Sequence, residues 1–391
     1  MRVLLVTRDF PPSHGGIQTY AYELATRRAE KAAALEVVAP AQDGDAAFDA
    51  ALPFSVHRLA IRSDLLVLRA LPMLPRLARD GRFDVAFHAQ WQTLPASQWA
   101  RRRTGHPRRI VTAAHGRELL LTPGGTSPLG RAFSAFRRRT LANIDALLPV
   151  SRYTAGLACD LGVPDEKLRI VTNGTDPTQF FPEDATALRD ELGLTGRRVL
   201  LTVGRLVPRK GLDTTLHALA QLRQDDAYAD VTYLVVGDGP DRTRLTELVG
   251  DLGVADAVRF LGRVDGPLRA YFNLADVFVM PSRAEGPDVE GFGIVFLEAN
   301  ACETPVIGST AGGIPDAIVD GETGLLVPPS DASALAVALR QLLDDAALRT
   351  RYGQRGRARV VQAYTWDRVA SRVYRTLEDL VSGTASYNAS A

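Results

Sequence analysis

Two glutamates and two cations in the second half of this chain have the types and spacing to handle a phosphorylated sugar. Glu290-Gly-Phe-Gly-Ile-Val-Phe-Leu-Glu298 holds two carboxylates separated by seven residues, with Gly291 and Gly293 close behind the first. A helix beginning near Gly293 would leave the amides of Gly293, Ile294 and Val295 without intrahelical partners, and such amides bind a diphosphate. Phe292, between the two glycines, belongs to the same donor-binding loop. Glu298 then lies one to two turns into the helix, about 7 Å along its axis, where it can accept hydrogen bonds from two ribose hydroxyls. Glu290, in the loop, can accept from hydroxyls of a transferred sugar. The same segment also reads as a glycine-rich helix entry with two solvated glutamates.

The cations lie in Gly204-Arg205-Leu-Val-Pro-Arg-Lys210-Gly211, directly after a buried strand. An arginine offers bidentate hydrogen bonds to a leaving diphosphate and a lysine offers a mobile point charge. Charge stabilised as it develops on a departing nucleotide would supply most of the rate. A solvated basic turn is the alternative. Lysine is rare in this chain: Lys31, Lys167 and Lys210 are the three among 46 basic residues, which makes a lysine at position 210 suggestive.

The first half contributes weaker signals. Gly15-Gly16 follows the first strand and opens a helix, so its amides can approach a phosphate or sugar closely. A plain turn fits equally well. His115 closes Ala113-Ala114-His115-Gly116 at the carboxyl end of a buried strand, where a ligand-facing histidine and a structural one are equally expected.

Several chemistries are missing. There is no Gly-x4-Gly-Lys-Ser/Thr P-loop, no Gly-x-Ser-x-Gly elbow and no Gly-x-Gly-x-x-Gly after the first strand. Asp43-Gly-Asp45 lies in an early polar loop rather than at a strand end, so no catalytic metal and no cofactor are expected. Gly237-Asp-Gly239-Pro240 reads as a strand-to-helix turn, and Ala311-Gly-Gly313-Ile-Pro315-Asp316 reads more as a structural loop than as a ligand contact.

The elements that must position these residues alternate between short apolar runs and helical segments, the rhythm of parallel α/β structure. Val3–Val6, Asp84–Phe87, Ile110–Ala114, Ala146–Val150 and Leu168–Val171 read as strands of one sheet. Asn173-Gly174 marks a turn, and Phe180-Phe181-Pro182-Glu183-Asp184 reads as a crossing linker. The pattern restarts at Val199–Val203 and continues through Val231–Val236, Val258–Leu261, Val277–Met280, Pro305–Ile307 and Gly324–Val327. Two Rossmann-like domains facing a central cleft are expected, with ligands at the carboxyl ends of the strands. The boundaries are set at 1–180 and 185–366. A last helix, about 367–391, packs back on the first domain.

Composition agrees. The 391 residues are 46% apolar and 23% charged with a net charge of +1, which gives no global field for nucleic acid. Cys159 and Cys302 have neither metal-ligand spacing nor a disulfide framework. The apolar run after Met1 is too short for a signal peptide, and Arg69 interrupts the Leu65–Leu74 stretch well short of a membrane span. A cytoplasmic protein is expected. Two arginine clusters remain: Arg101-Arg102-Arg103 with Arg108-Arg109, and Arg137-Arg138-Arg139 behind Phe133 and Phe136. They read either as solvated faces or as a seat on anionic lipid, peripheral to the inner face of the cytoplasmic membrane.

Together these residues resemble the retaining glycosyltransferases of family 4, which have the GT-B fold. The resemblance runs from the first strand to about Trp366. It is carried by Gly-Arg-x4-Lys-Gly, by Glu-x7-Glu, and by Thr304-Pro-Val-Ile307 followed by Gly312-Gly-Ile-Pro-Asp316. It implies that Arg205 and Lys210 bind the donor diphosphate, Glu290 the sugar and Glu298 the ribose, with Gly16 and His115 also lining the donor site. It further implies that the donor base is read through backbone atoms near Gly262-Arg263-Val264. Thr7-Arg-Asp-Phe-Pro-Pro-Ser-His-Gly-Gly-Ile-Gln-Thr-Tyr20 and Asp288-Val-Glu-Gly-Phe-Gly look like the phosphatidylinositol mannosyltransferase branch, whose donor is GDP-mannose and whose acceptor is a membrane glycolipid. A UDP-glucose-type transferase acting on a soluble sugar or sugar phosphate is the first alternative. An inactive nucleotide-sugar-binding module is the second.

Overall fold

The computed structural model describes residues 1–30, 34–60, 66–264 and 266–384. The chain forms two compact units, one made of Met1–Asn173 with Trp366–Ala391, the other of Gly174–Thr365.

The first unit is built on six parallel strands: β1 (Val3–Val6), β2 (Leu35–Pro40), β3 (Ser55–Leu59), β4 (Val85–His88), β5 (Arg109–Ala114) and β6 (Ala146–Pro149). Their order is β3-β2-β1-β4-β5-β6. The strand order reverses between β1 and β4, so the loops leaving these two strands flank a switch point, the place where such sheets bind ligands. Central strands are apolar on both faces because helices cover both. Tyr20, Leu24, Phe87 and Val38 are among the side chains this packing buries completely.

Two expectations change in this unit. Strands β2 and β3 were not anticipated; β3 is an edge strand, Ser-Val-His-Arg-Leu, exposed or half-exposed throughout, and lacks a clear apolar alternation. Conversely, Leu168–Val171 does not become a strand. Its amides bond along β6, Arg169 to the Leu147 carbonyl at 3.0 Å and Val171 to that of Pro149 at 3.0 Å, but Leu168 forms only an isolated bridge. Pro149 has no N–H to return, so the ladder cannot close.

Helix Trp366–Ser382 belongs to this first unit. It buries Trp366, Val369, Ala370, Val373, Tyr374 and Leu377, the spacing of an amphipathic helix. The Tyr374 hydroxyl donates to the Leu24 carbonyl at 2.8 Å, and Trp366 meets Tyr20 edge-on at 6.2 Å.

The second unit repeats the plan with β7 (Arg198–Val203), β8 (Val231–Val236), β9 (Val258–Gly262), β10 (Val277–Val279), β11 (Val306–Ser309) and β12 (Gly324–Val327). The order β12-β11-β10-β7-β8-β9 is the same doubly wound order, with its switch point between β7 and β10.

This unit begins at Gly174, earlier than the boundary set at 180–185. The Thr175 amide donates to the Tyr364 carbonyl at 2.8 Å, the Phe180 ring meets Phe272 at 5.9 Å, and the Glu183 amide donates to the Asn273 side chain at 3.0 Å. The stretch read as a crossing linker is therefore anchored to the second unit, where Phe180 packs on Phe272 and the Arg269 guanidinium lies 4.7 Å over the Phe181 ring.

Candidate active site

In the second unit the chemistry gathers where β7 and β10 end. The chain leaves β7 through Gly204, whose φ of +151° disfavours any side chain, and turns through Pro208–Lys210. Gly211, at φ +71°, starts helix Leu212–Leu222; a Cβ there would lie 2.2 Å from the Pro281 carbonyl oxygen, so only glycine lets this turn close against the segment after β10. That segment is tied in by the Arg283 amide, which donates to the Arg209 carbonyl at 2.8 Å, and by the Arg283 guanidinium on Asp213 at 2.6 and 3.0 Å.

Lys210 thereby reaches Glu290: Nζ lies 2.6 Å from Oε2. Arg209 reaches the same oxygen at 2.6 Å through its guanidinium, and its Nε lies 3.2 Å from Asp288. Burial alone would raise the Glu290 carboxyl, but Lys210 and Arg209 outweigh it and hold the group down at about 2. Burial pulls Lys210 below the ordinary lysine value, against the opposing pull of the Glu290 carboxylate beside it. The backbone of Glu290 is fixed from behind. The Gly313 amide donates to its carbonyl at 2.9 Å, and a Cβ on Gly312, at φ +60°, would sit 2.3 Å from that oxygen. The Gly312-Gly313 pair thus acts as a support for Glu290.

Glu298 stands in helix Ile294–Ala301, which Gly293 enters at φ +92°. The first amides of this helix, at Ile294 and Val295, have no helical carbonyl to donate to. Burial raises the Glu298 carboxyl to about 7, with Lys210 pulling the other way. It makes no hydrogen bond among the described residues. The Phe292 ring is fully buried and stacks on Tyr364 at 6.2 Å, so this residue offers a ligand only its main chain; its side chain belongs to the core. Arg205 is exposed and has no ion pair among the described residues. Arg263 and Val264 follow β9 in a loop, separate in sequence from the charged cluster, and Gly262 there accepts from the Gly237 amide at 2.6 Å. Gly239 packs on the backbone of Leu206, confirming Gly237–Pro240 as a turn that braces the loop after β7.

In the first unit, Gly15 and Gly16 are exposed at the start of helix Gly16–Glu30. His115 follows β5. Its Nε2 lies 3.0 Å from the Ala89 carbonyl, its ring meets Tyr20 at 4.9 Å, and burial lowers its pKa. The Ala89-Gln90 segment serves a second residue as well: the Gln90 side chain donates to Asp9 at 2.5 Å and accepts from the Arg8 amide at 3.2 Å. One short segment after β4 therefore orients both Asp9 and His115.

Sequence reasoning missed Arg209, Asp288 and Gln90. The Arg-Lys doublet was a usable signal for Arg209. Nothing local marks Gln90, whose partners lie about 80 residues away in sequence. Of the other two lysines, Lys167 donates through Nζ to the Ala142 carbonyl at 3.0 Å, and Lys31 lies outside the described residues. Among the described residues no group of three or more His, Cys, Asp or Glu side chains converges as a metal site would.

Residues 14–179 match the family model "Glycosyltransferase Family 4", and residues 184–359 match "Glycosyl transferases group 1". The GDP-mannose-dependent alpha-(1-6)-phosphatidylinositol monomannoside mannosyltransferase of Mycolicibacterium smegmatis is 36% identical across 97% of this chain and 98% of its own. This chain is a family 4 glycosyltransferase. A protein of Corynebacterium glutamicum, named as a GDP-mannose-dependent monoacylated alpha-(1-6)-phosphatidylinositol monomannoside mannosyltransferase, is 32% identical over 96% of this chain and 98% of its own. The D-inositol 3-phosphate glycosyltransferase of Stackebrandtia nassauensis is 31% identical over 95% of this chain and 88% of its own. Among solved structures, Anabaena Alr3699/HepE in complex with UDP superposes with a TM-score of 0.82 at 20% identity, covering 97% of this chain and all of the other. Sucrose-phosphate synthase from Thermosynechococcus elongatus gives 0.79 at 24% identity, over 98% of this chain and all of its own. These likenesses, with two parallel six-stranded sheets, establish the GT-B fold. This family 4 glycosyltransferase is accordingly a hexosyltransferase.

Proposed function

We propose that this enzyme transfers mannose from GDP-mannose, with retention at the anomeric carbon and without a metal, to a hydroxyl of a phosphatidylinositol-type glycolipid. The observation that carries the reading is the cluster of Lys210, Arg209 and Glu290 beside the open amide end of the Ile294–Ala301 helix, in a chain 36% identical to a named mannosyltransferase. The arrangement suits a nucleoside diphosphate sugar. Arg205, exposed and without an ion pair among the described residues, and Lys210 receive the diphosphate together with the amides of Gly293, Ile294 and Val295. Lys210 exchanges its contact with Glu290 for a phosphate oxygen, which frees Glu290 to accept from sugar hydroxyls. Glu298 accepts from the ribose. Arg263 and Val264 hold the base through their main chain, and Gly204 keeps the loop after β7 close to the phosphates. Gly15, Gly16 and His115 contribute to turnover from the first unit.

In the step itself the acceptor hydroxyl oxygen bonds to the anomeric carbon on the face from which the nucleoside diphosphate leaves. The bond from that carbon to the phosphate oxygen breaks, and the departing phosphate takes the acceptor's proton. The cations supply the stabilisation as negative charge collects on the leaving group, which is the work a metal does elsewhere. No helix among the described residues is long and apolar enough to cross a membrane, and we place the enzyme in the cytoplasm, peripheral to the membrane that holds its acceptor.

Lys210→Ala and Glu290→Ala should each lower turnover of GDP-mannose by about 2–4 orders of magnitude, with circular dichroism unchanged. Turnover that persists in excess EDTA is expected alongside. Near-wild-type rates in both variants, or strict dependence on an added divalent ion, would sink the reading.

A further inference from the structure

Glu290 carries two cations on one oxygen, and the two are held in different ways. Lys210 Nζ and the Arg209 guanidinium both lie 2.6 Å from Oε2, whereas Oε1 makes no hydrogen bond among the described residues. Lys210 carries its ammonium on a flexible stem, and Glu290 is the side chain's one hydrogen-bond partner among the described residues. Its charge is also shared, because it pulls on the buried Glu298 carboxyl as well.

Arg209 is fixed at three points: its guanidinium meets Glu290, its Nε lies 3.2 Å from Asp288, and its carbonyl accepts from the Arg283 amide at 2.8 Å. Arg283 is itself locked between Asp213 and Glu285, each at 2.6 Å. A tight turn aims Asp288 at Arg209. The Glu285 and Asp288 amides donate to each other's carbonyls at 2.9 and 3.0 Å, and Gly286 between them takes φ +56°, which glycine allows. Arg209 therefore stays in place while the lysine beside it is free to swing.

Donor binding separates their tasks. When Lys210 turns to a phosphate oxygen, Glu290 loses one of its two cations while staying largely buried. A buried carboxylate without a cation takes up a proton, and a protonated carboxyl loses acceptor capacity that sugar hydroxyls need. Among the described residues the cations on Glu290 are Lys210 and Arg209. The segment after β11 meets it with the main chain of Gly312 and Gly313, and Asp288 on its own segment faces Arg209. Arginine does not deprotonate in proteins, so Arg209 is the cation left to compensate Glu290.

We propose that Arg209 is the standing counter-ion of Glu290, a positioning residue that anchors this carboxylate, with Oε1 open to a sugar hydroxyl, while Lys210 moves to the donor diphosphate. Lys210 then serves the leaving group and Arg209 the sugar side of the site. The proposal rests on the reading of Lys210 and Glu290 as donor ligands.

The test is the pH dependence of kcat in the full chain with GDP-mannose, joined to a double-mutant cycle; kcat reports ionisations within the substrate complex. In the wild type no acid limb from Glu290 is expected above about pH 5. Arg209→Gln should lower kcat near pH 7 at least about tenfold and introduce such a limb. Activity then falls as the pH drops through the raised Glu290 value and recovers in part by about pH 9. Arg209→Lys, which keeps a cation in place, should show the limb at lower pH than Arg209→Gln. In a Glu290→Gln background the Arg209→Gln change should cost less than about threefold and add no limb. A loss that is the same at every pH would show a structural role alone and overturn the proposal. So would one common limb in Arg209→Lys and Arg209→Gln, near-normal turnover in Arg209→Gln, or equal losses in both backgrounds. Near-wild-type turnover in Glu290→Gln alone removes the donor reading, and the proposal with it. Turnover of another nucleoside diphosphate sugar in place of GDP-mannose removes the mannose assignment, and the same cycle with that donor still decides the role of Arg209.

Discussion

Glu298 is the residue whose chemistry the fold changes most. A glutamate ordinarily ionises near pH 4, but burial raises this one to about 7, against the pull of Lys210. The sign for donor binding follows from the hydrogen bonds: only the ionised carboxylate accepts from both ribose hydroxyls, so below about pH 7 a proton must leave before the nucleotide binds. GDP affinity should fall by up to about tenfold for each pH unit below 7, and Glu298→Gln should flatten that dependence while weakening binding at high pH. Calorimetric titration with GDP from about pH 5 to about pH 8 measures this. A wild-type affinity that rises as the pH falls, or a slope that survives in the variant, would contradict it. Glu290 shows the opposite case: two cations hold it ionised near 2, so it stays a carboxylate across the same range. Residue types and spacing singled out both glutamates, but two carboxyls eight positions apart are alike in sequence; their opposite protonation depends on neighbours that only the folded loops supply.

At the scale of elements, what matters is how a loop is held. Gly312, in the segment after β11, lets the backbone pass directly behind Glu290. Gly312→Ala should cost about 1–3 kcal/mol, because its φ of +60° disfavours a side chain and the new Cβ would meet the Glu290 carbonyl at 2.3 Å. We expect a melting temperature lower by several degrees and turnover reduced at least about tenfold, since relief of the clash displaces Glu290. Unchanged turnover in a destabilised but folded variant would show that Glu290 tolerates the shift. All six strands of the second unit were readable because each is a compact apolar run closed by glycine or proline. The first unit was read less well. Edge strand β3 has no buried stripe to betray it, and Leu168–Val171 looks like a strand until Pro149 denies it a partner.

At the scale of the molecule, the chain ends where it began. Helix Trp366–Ser382 places six buried side chains in the first unit, at about 1.5–3 kcal/mol for each large apolar one, which is comparable with the whole stability of a domain. Truncation after Thr365 should therefore leave the first unit open to limited proteolysis while the 174–365 unit stays resistant; a truncated chain with full activity and wild-type resistance would refute this. By itself the sequence determined the α/β class, the two-unit plan, the return of the last helix and the charged residues of the second unit. All of these follow from local apolar periodicity and from motifs contiguous in the chain. Tertiary structure alone decided that Arg209 joins Lys210 on Glu290, that Arg137 and the Phe292 ring turn inward, that Gln90 orients Asp9, and that Trp99 and Phe136 share one groove. The physical reason is that a side chain's partner and its exposure depend on residues distant in sequence, and strand order and loop closure must be set before those residues meet.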